Sequence, residues 1–202
     1  MKYQDNIIDV AALQPDYLGF IFHKQSPRHF EASIPDISEQ IKKVGVFVDE
    51  KVEFISSQIE THGLSVVQLH GYESPEVCRL LKSAGVKVIK AFSIKDQFDF
   101  SVLTRYEAVC DYFLFDTKGK LPGGNGFTFD WTILNEYPST KPYLLSGGIG
   151  LEEIESLKAF LESKASKYCH AIDVNSKFEV EPGLKDAGSL NEFKKYVTSS
   201  DL

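Results

Sequence analysis

What this chain lacks narrows its class before any motif is read. Cysteine is scarce: Cys78, Cys110 and Cys169 are odd in number, far apart, and form no C-x-x-C pair. That excludes a disulfide framework or a cysteine zinc site and fits a reducing compartment. The start, Met1-Lys2-Tyr3-Gln4-Asp5-Asn6, has no apolar stretch of the secretory kind, and no apolar run approaches the ~20 residues that cross a bilayer. A cytoplasmic protein without membrane attachment is the expectation. Positive charge is also short. The net charge of −7 argues against nucleic acid or an anionic membrane as partner. An anionic ligand would have to be held by local donors: helix N-termini, backbone amides, or Arg28. His23, His29, His62 and His170 show no metal-ligand spacing, so no metal is assigned. No low-complexity tract, linker or close internal repeat interrupts the chain.

What is present suits a sizeable core: 43% of the 202 residues are hydrophobic, enough for residues 1–202 to form a single domain. Short apolar runs alternate with helical patterns from end to end. The runs are Tyr17–Phe22, Val44–Val48, Ser65–Leu69, Val86–Ala91, Tyr112–Phe115, Pro142–Ser146 and His170–Val174. Most are apolar throughout, as parallel strands covered on both faces are. Helical spacing falls at Ile7 to Leu13, at Ile34, Ile37, Ile41 and Val44 with Pro35 near the start, and at Val52 to Ile59, stopped by Gly63. It recurs from Ser74-Pro75-Glu76 to Gly85, weakly from Phe98 to Leu103, and at Trp131 to Leu134, Leu151 to Phe160 and Leu190 to Tyr196. This is the βα repetition of an α/β barrel. A doubly wound open sheet would carry a phosphate fingerprint after its first strand, and none is there.

In such a barrel, chemistry sits just past each strand. Those positions hold Ser26-Pro27-Arg28, Asp49, Gln68-Leu69-His70-Gly71, Asp116, Ser146-Gly147-Gly148-Ile149-Gly150 and Asp173-Val174-Asn175-Ser176-Lys177. Asp116 ends an apolar run and is followed by Gly119, Gly123, Gly124 and Gly126, then by a helix start at Asp130. A carboxylate at a strand tip under a Gly-rich loop reads as an acid or base, or as a helix cap or loop salt bridge. The Ser146-Gly147-Gly148 turn opens a helix carrying Glu152 and Glu153 in its first turn. It reads as a phosphate cradle or as a plain tight turn. The Gly123-Gly124-Asn125-Gly126 run lacks the Gly-Lys-Ser/Thr ending of a P-loop. Arg28 offers a fork for a carboxylate or phosphate, or is a solvated loop arginine. His70 reads as a substrate contact or as a satisfied structural group, and Lys90 as a Schiff-base lysine or, more often for a strand lysine, as a structural partner.

Assembled, these segments resemble phosphoribosylanthranilate isomerase. The matching pieces are Tyr17-Leu18-Gly19-Phe20-Ile21-Phe22 with Ser26-Pro27-Arg28, Val44-Gly45-Val46-Phe47-Val48, Val67-Gln68-Leu69-His70-Gly71 and Val88-Ile89-Lys90-Ala91. They continue with Phe115-Asp116-Thr117-Lys118, Gly123-Gly124-Asn125-Gly126, Phe129-Asp130-Trp131, Leu145-Ser146-Gly147-Gly148-Ile149, Ala171-Ile172-Asp173-Val174, and Pro182-Gly183 with Lys185-Asp186. They run in family order over nearly the whole chain. The resemblance implies a (βα)8 TIM barrel and an Amadori rearrangement of N-(5-phosphoribosyl)anthranilate to the aminodeoxyribulose phosphate in tryptophan biosynthesis, without a cofactor. It implies Asp116 as the acid that protonates the furanose ring oxygen. Arg28 would hold the anthranilate carboxylate, and backbone amides around Gly147, Gly148 and Ser176 the phosphate, with His70, Ser146 and Asp173 as further substrate contacts.

Two departures stand out. Lys177 occupies a place where the family has glycine. The family's proton-abstracting cysteine ends the first strand in a Lys-x-Cys-Gly-Met pattern, and Met1-Lys2-Tyr3 aligns with the Met of that pattern. The expectation is therefore a barrel truncated at its N-terminus, lacking that strand and cysteine, with Asp116 intact and turnover impaired. The partner is a small phosphosugar–anthranilate substrate, the protein a monomer or weak homo-oligomer. The alternatives are a non-catalytic phosphate-binding barrel and another phosphosugar barrel enzyme.

Overall fold

The computed structural model describes residues 1–95, 97–117 and 128–198. In chain order the elements are α1 (Gln4–Ala12), β1 (Tyr17–Ile21), β2 (Lys42–Phe47), α2 (Val52–His62), β3 (Val66–Leu69), α3 (Pro75–Ser83), β4 (Lys87–Ile94), β5 (Tyr112–Thr117), β6 (Tyr143–Leu145), α4 (Ile154–Glu162), β7 (Cys169–Ile172), a small hairpin β8 (Glu179–Glu181) with β9 (Leu184–Lys185), and α5 (Ala187–Thr198). Strands β1 to β7 form one sheet in chain order, every neighbour parallel. The apolar runs therefore become the strands of a curled parallel α/β sheet. Among the described residues this parallel sheet has seven strands where a closed barrel of this kind has eight. β1 and β7 stand at the two edges. The Met1 amine donates to the Gly19 carbonyl at 2.8 Å, so the start of the chain lies along the outer edge of β1.

The sheet divides its side chains between two layers. Phe20, Phe47, Phe113, Phe115 and Leu145 pack outward with helix residues such as Ile7, Ile55 and Leu81. Val44, Val66, Ile89, Ala91, Leu114 and Leu144 form a second cluster made of strand residues, inside the curl. Side chains alternate along a strand, so the inner face continues two residues at a time toward each strand tip. Leu114 leads to Asp116, Val66 to Gln68 and His70, Leu144 to Ser146, and Ala171 to Asp173. The polar residues at the mouth are the ends of the inner apolar rows.

Local signals fix the helix ends. The Ser74 hydroxyl accepts from Val77 N and Pro75 opens α3. Gly63 caps α2 at φ +60°, a conformation that costs glycine nothing. The Asp130 carboxylate caps a short 3-10 turn over Trp131–Glu136, and another 3-10 turn occupies Phe100–Tyr106.

One helix of the sequence reading is absent. Residues 31–41 form no helix. Ile37 still packs on the core and Ile41 is buried, but from an irregular path. Pro35 removes an amide, and the Ile34–Ile37–Ile41 spacing arises from burial alone. The β8–β9 hairpin had no sequence signal, its strands being short and polar. The Gly-rich loop with Gly119, Gly123, Gly124 and Gly126 lies outside the described residues. No helix among the described residues is long and apolar enough to cross a membrane.

Candidate active site at the strand tips

A cavity of about 600 Å³ opens at the C-terminal ends of the strands and runs along the side between β1 and β7. Arg28, His70, Asp116, Ser146, Asp173 and Ser176 all line it. Gly147 and Gly148 line it too, so every sequence-selected site residue converges on one space.

Asp116 is the next-to-last residue of β5, with 8% of its surface exposed. Its Oδ2 lies 3.2 Å from His70 Nε2. The Gln68 amide nitrogen is 2.9 Å from His70 Nδ1. Since an amide N–H can only donate, Nδ1 accepts and the neutral ring carries its proton on Nε2, directed at Asp116. Asp116 Oδ1 is left as the oxygen that can carry a transferable proton. When that proton departs, the His70 N–H meets a full carboxylate and the bond becomes charge-assisted. This contact is therefore worth more after proton donation than before it, as an acid catalyst requires.

Asp173 lies just past β7, two strands from Asp116, and Ser146 Oγ at the intervening β6 tip donates to its Oδ2 at 2.7 Å. Burial pushes the Asp173 carboxyl up from its usual range, the Ser146 bond opposes this, and the nearby Asp116 charge adds to it. Among the described residues, the amides of Gly147, Gly148 and Ser176 make no protein hydrogen bond. They are among the amides of the two late loops that have no partner among the described residues. The Gly150 amide is not, since Glu153 Oε2 accepts from it at 2.8 Å. Lys177 joins these loops: its stem lies against Gly150 and its amine reaches Glu152 at 3.2 Å. The lysine thus directs its charge outward and spans the turn.

Arg28 is more constrained than its loop position suggests. Glu179 accepts from Arg28 Nε at 2.8 Å and from Nη2 at 2.7 Å. Lys185 Nζ and Gly183 N each donate to Glu179 Oε1 at 3.0 Å. One edge of the guanidinium, Nε with Nη2, is thus occupied by Glu179, and its Nη1 end has no protein partner among the described residues. Glu179 and Lys185 were not visible as site residues in the sequence. They lie far from Arg28 along the chain, and only the Pro182-Gly183 turn with Lys185-Asp186 hinted at them.

This clasp carries a pH expectation. Burial works against the Glu179 charge, yet the Arg28 bonds and Lys185 outweigh it and hold the carboxyl below its usual range. A depressed carboxyl stabilises the fold above its unfolded value of about 4.3 and loses that contribution as pH falls through the folded value. Thermal melts from pH 6 to pH 3 should show an acid-limb loss that Glu179→Gln lacks. Parallel curves would remove the clasp from the stability account.

The other expectations also find places. Lys90 faces away from the cavity and pairs with Glu73, so it is a structural partner, as its strand position implied. His62 packs between Phe22 and Phe30. His170 accepts or donates at 2.8 Å with Tyr17 OH and stacks on Tyr112, at the opposite end of the barrel. Cys78 and Cys110 are fully buried in the outer layer. Cys169 begins β7, away from the tips, and burial pushes its thiol up to about 12. No cysteine among the described residues stands beside Asp116. Among the described residues, no group of three His, Cys, Asp or Glu side chains is placed to hold a metal.

Comparison with known proteins gives the family and the fold. The model of the N-(5'-phosphoribosyl)anthranilate (PRA) isomerase family matches residues 1–196. The N-(5'-phosphoribosyl)anthranilate isomerase of Parabacteroides distasonis is 44% identical over 203 residues, covering 98% of this chain and 90% of the relative. The phosphoribosyl anthranilate isomerase of Thermus thermophilus superposes with a TM-score of 0.83 at 25% identity, over 98% of this chain and 96% of that one. A further solved phosphoribosyl anthranilate isomerase, in complex with reduced 1-(o-carboxyphenylamino)-1-deoxyribulose 5-phosphate, superposes at 0.77 with 26% identity, over 97% and 94%.

Proposed function

This chain belongs to the N-(5'-phosphoribosyl)anthranilate isomerase family of tryptophan biosynthesis, and we propose that the strand-tip cavity is where that family's aldose–ketose rearrangement takes place. The single observation that carries the proposal is the Asp116–His70 contact of 3.2 Å at the inner mouth of the barrel. It supplies a proton donor and a group that stabilises the donor's conjugate base.

The rearrangement needs a proton delivered to the furanose ring oxygen. The C1′–O4′ bond then breaks, O4′ leaves as a hydroxyl, and the anilino nitrogen lone pair forms the Schiff base. Loss of the C2′ proton gives an enolamine, which tautomerises to the aminoketose. Asp116 Oδ1 is the donor of the first proton, and His70 steadies the carboxylate it leaves. Arg28 Nη1, held in place by Glu179, faces the anthranilate carboxylate. The amides of Gly147, Gly148 and Ser176 take the phosphate, the arrangement expected of late barrel loops. Asp173 and Ser146 line the space between these two ends. The cysteine that accepts the C2′ proton in the resemblance has no counterpart beside Asp116 among the described cysteines. The open side between β1 and β7 is where a further strand would bring such a group to the mouth. On this reading the chain works as one barrel domain in the cytoplasm, as a monomer or weak homo-oligomer.

The phosphate half is tested by charge. Ser176→Asp sets a carboxylate against the ligand phosphate, a like-charge contact that costs on the order of several kcal/mol in a formed interface. Calorimetric titration should show the reduced product analogue weakened more than tenfold and free anthranilate within about twofold. Equal weakening of both ligands would place the phosphate elsewhere.

A further inference from the structure

The most costly electrostatic feature outside the cavity lies beneath the His70 loop. Lys90 Nζ and Glu73 Oε2 are 3.1 Å apart, with side chains only 3% and 2% exposed. Burying two charges is expensive, and a pair so placed adds stability only if all its hydrogen bonds are met. Here they are met almost wholly by one stretch of backbone. Lys90 donates to the carbonyls of Leu69 at 3.1 Å, Gly71 at 2.8 Å and Ala91 at 3.0 Å. Glu73 Oε1 accepts from Gly71 N at 3.0 Å and from Asp49 N at 2.9 Å. The backbone carbonyl of Glu73 is held in turn by Tyr106 OH at 3.0 Å.

Asp49 completes the arrangement from the loop after β2. It adopts φ +52°, unusual for a residue with a side chain, and its Oδ1 accepts from Tyr72 N at 2.6 Å. A Cβ at Gly71 would sit 2.5 Å from that Oδ1, so the two loops touch in a way only glycine allows. His70 is therefore bracketed. Leu69 and Gly71, its two chain neighbours, are both fixed by Lys90, and Gly71 is fixed a second time by Glu73. None of these bonds reaches the cavity.

We propose that the buried Glu73–Lys90 pair and the exposed Asp49 form a latch whose role in the reaction is to position His70, and through it the proton on Asp116. They are positioning residues and do not touch substrate. The inference rests on the assignment of Asp116 as the acid, and it explains why an ion pair with no ligand contact sits under the loop that carries His70. An apolar pair of the same volume would hold the core equally well but would leave the Leu69 and Gly71 carbonyls and the Gly71 amide unanchored.

The test uses Glu73→Gln/Lys90→Met, which removes both charges together, and Asp49→Gly, which suits the positive φ, removes only the Oδ1 acceptor and touches no buried charge. Each is checked for a native near-ultraviolet spectrum. The readout is the nitrogen-15 spectrum of the His70 ring in its neutral form, together with steady-state kinetics. The unsubstituted chain should show a single Nε2–H tautomer. In the double variant the Nδ1–H form should become populated, kcat should fall on the order of 10²-fold, the cost of about 1 Å of misplacement, and KM should stay within twofold. Asp49→Gly should show the same changes to a smaller extent. A folded double variant with an unchanged tautomer and kcat would overturn the proposal. If the tautomer shifts but Asp116→Asn leaves turnover intact, the latch stands and the acid assignment fails.

Discussion

In a chain with its first strand restored, Asp116→Asn is expected to lower turnover of N-(5-phosphoribosyl)anthranilate about 10²–10⁴-fold, the usual contribution of a positioned general acid. Binding of the reduced product analogue should change by less than about threefold. An asparagine keeps the shape and can still accept the His70 N–H bond, now 3.2 Å long. What it cannot do is give up a proton and gain a charge. The loss should therefore appear in kcat, with KM nearly unchanged, because the missing interaction exists only in the transition state. Steady-state kinetics following substrate fluorescence would make the comparison. A variant that retains near-normal kcat would take Asp116 out of the mechanism.

Gly147→Val is expected to be the most damaging single substitution in the mouth. Gly147 adopts φ +94°, which a β-branched residue tolerates poorly. Its missing side chain also leaves room for the tip of β5: a Cβ there would collide with the backbone amide and hydroxyl of Thr117 and come 2.7 Å from Asp116 Oδ1. Backbone strain of about 1–3 kcal/mol joins overpacking of about 1–3 kcal/mol. Together they are a large part of the about 5–15 kcal/mol that holds a domain folded. From sequence, this glycine reads as a place where backbone approaches phosphate. The structure adds that it is where β6 approaches β5, so the variant should lose acid function and phosphate binding together. Chemical denaturation should show a midpoint well below that of the unsubstituted chain. A stable variant that lost only phosphate affinity would show that the collision relaxes without moving Asp116.

The site was legible in the sequence wherever a strand carried it. Asp116, His70, Ser146 and Asp173 each follow an inner-face apolar residue by an even count, so the strand period that marks the core also aims the polar end into the mouth. What escaped the sequence was set by contacts between distant parts of the chain. Glu179 is 151 residues from Arg28, and no local pattern tells a carboxylate clamped on an arginine from one in solvent. The Glu73–Lys90 pair was half visible, since Lys90 sits in an otherwise apolar strand, but its partner lies beyond a loop whose course the sequence does not give. The false helix spaced by Ile34, Ile37, Ile41 and Val44, the last of which lies in β2, has the converse cause. Ile34, Ile37 and Ile41 repeat at helical spacing because an irregular segment also packs on the core at intervals, and periodicity cannot tell the two apart.

Where the phosphorylated ligand sits relative to Asp116 decides the proposed mechanism most directly. A structure of this chain with reduced 1-(o-carboxyphenylamino)-1-deoxyribulose 5-phosphate would measure that in one experiment. The expected result has the phosphate between the 146–150 and 175–177 loops and the ligand carboxylate at Arg28. It has an Asp116 oxygen about 2.6–3.2 Å from the hydroxyl derived from the ring oxygen. A phosphate seated elsewhere in the cavity, or Asp116 turned away from that hydroxyl, would contradict it.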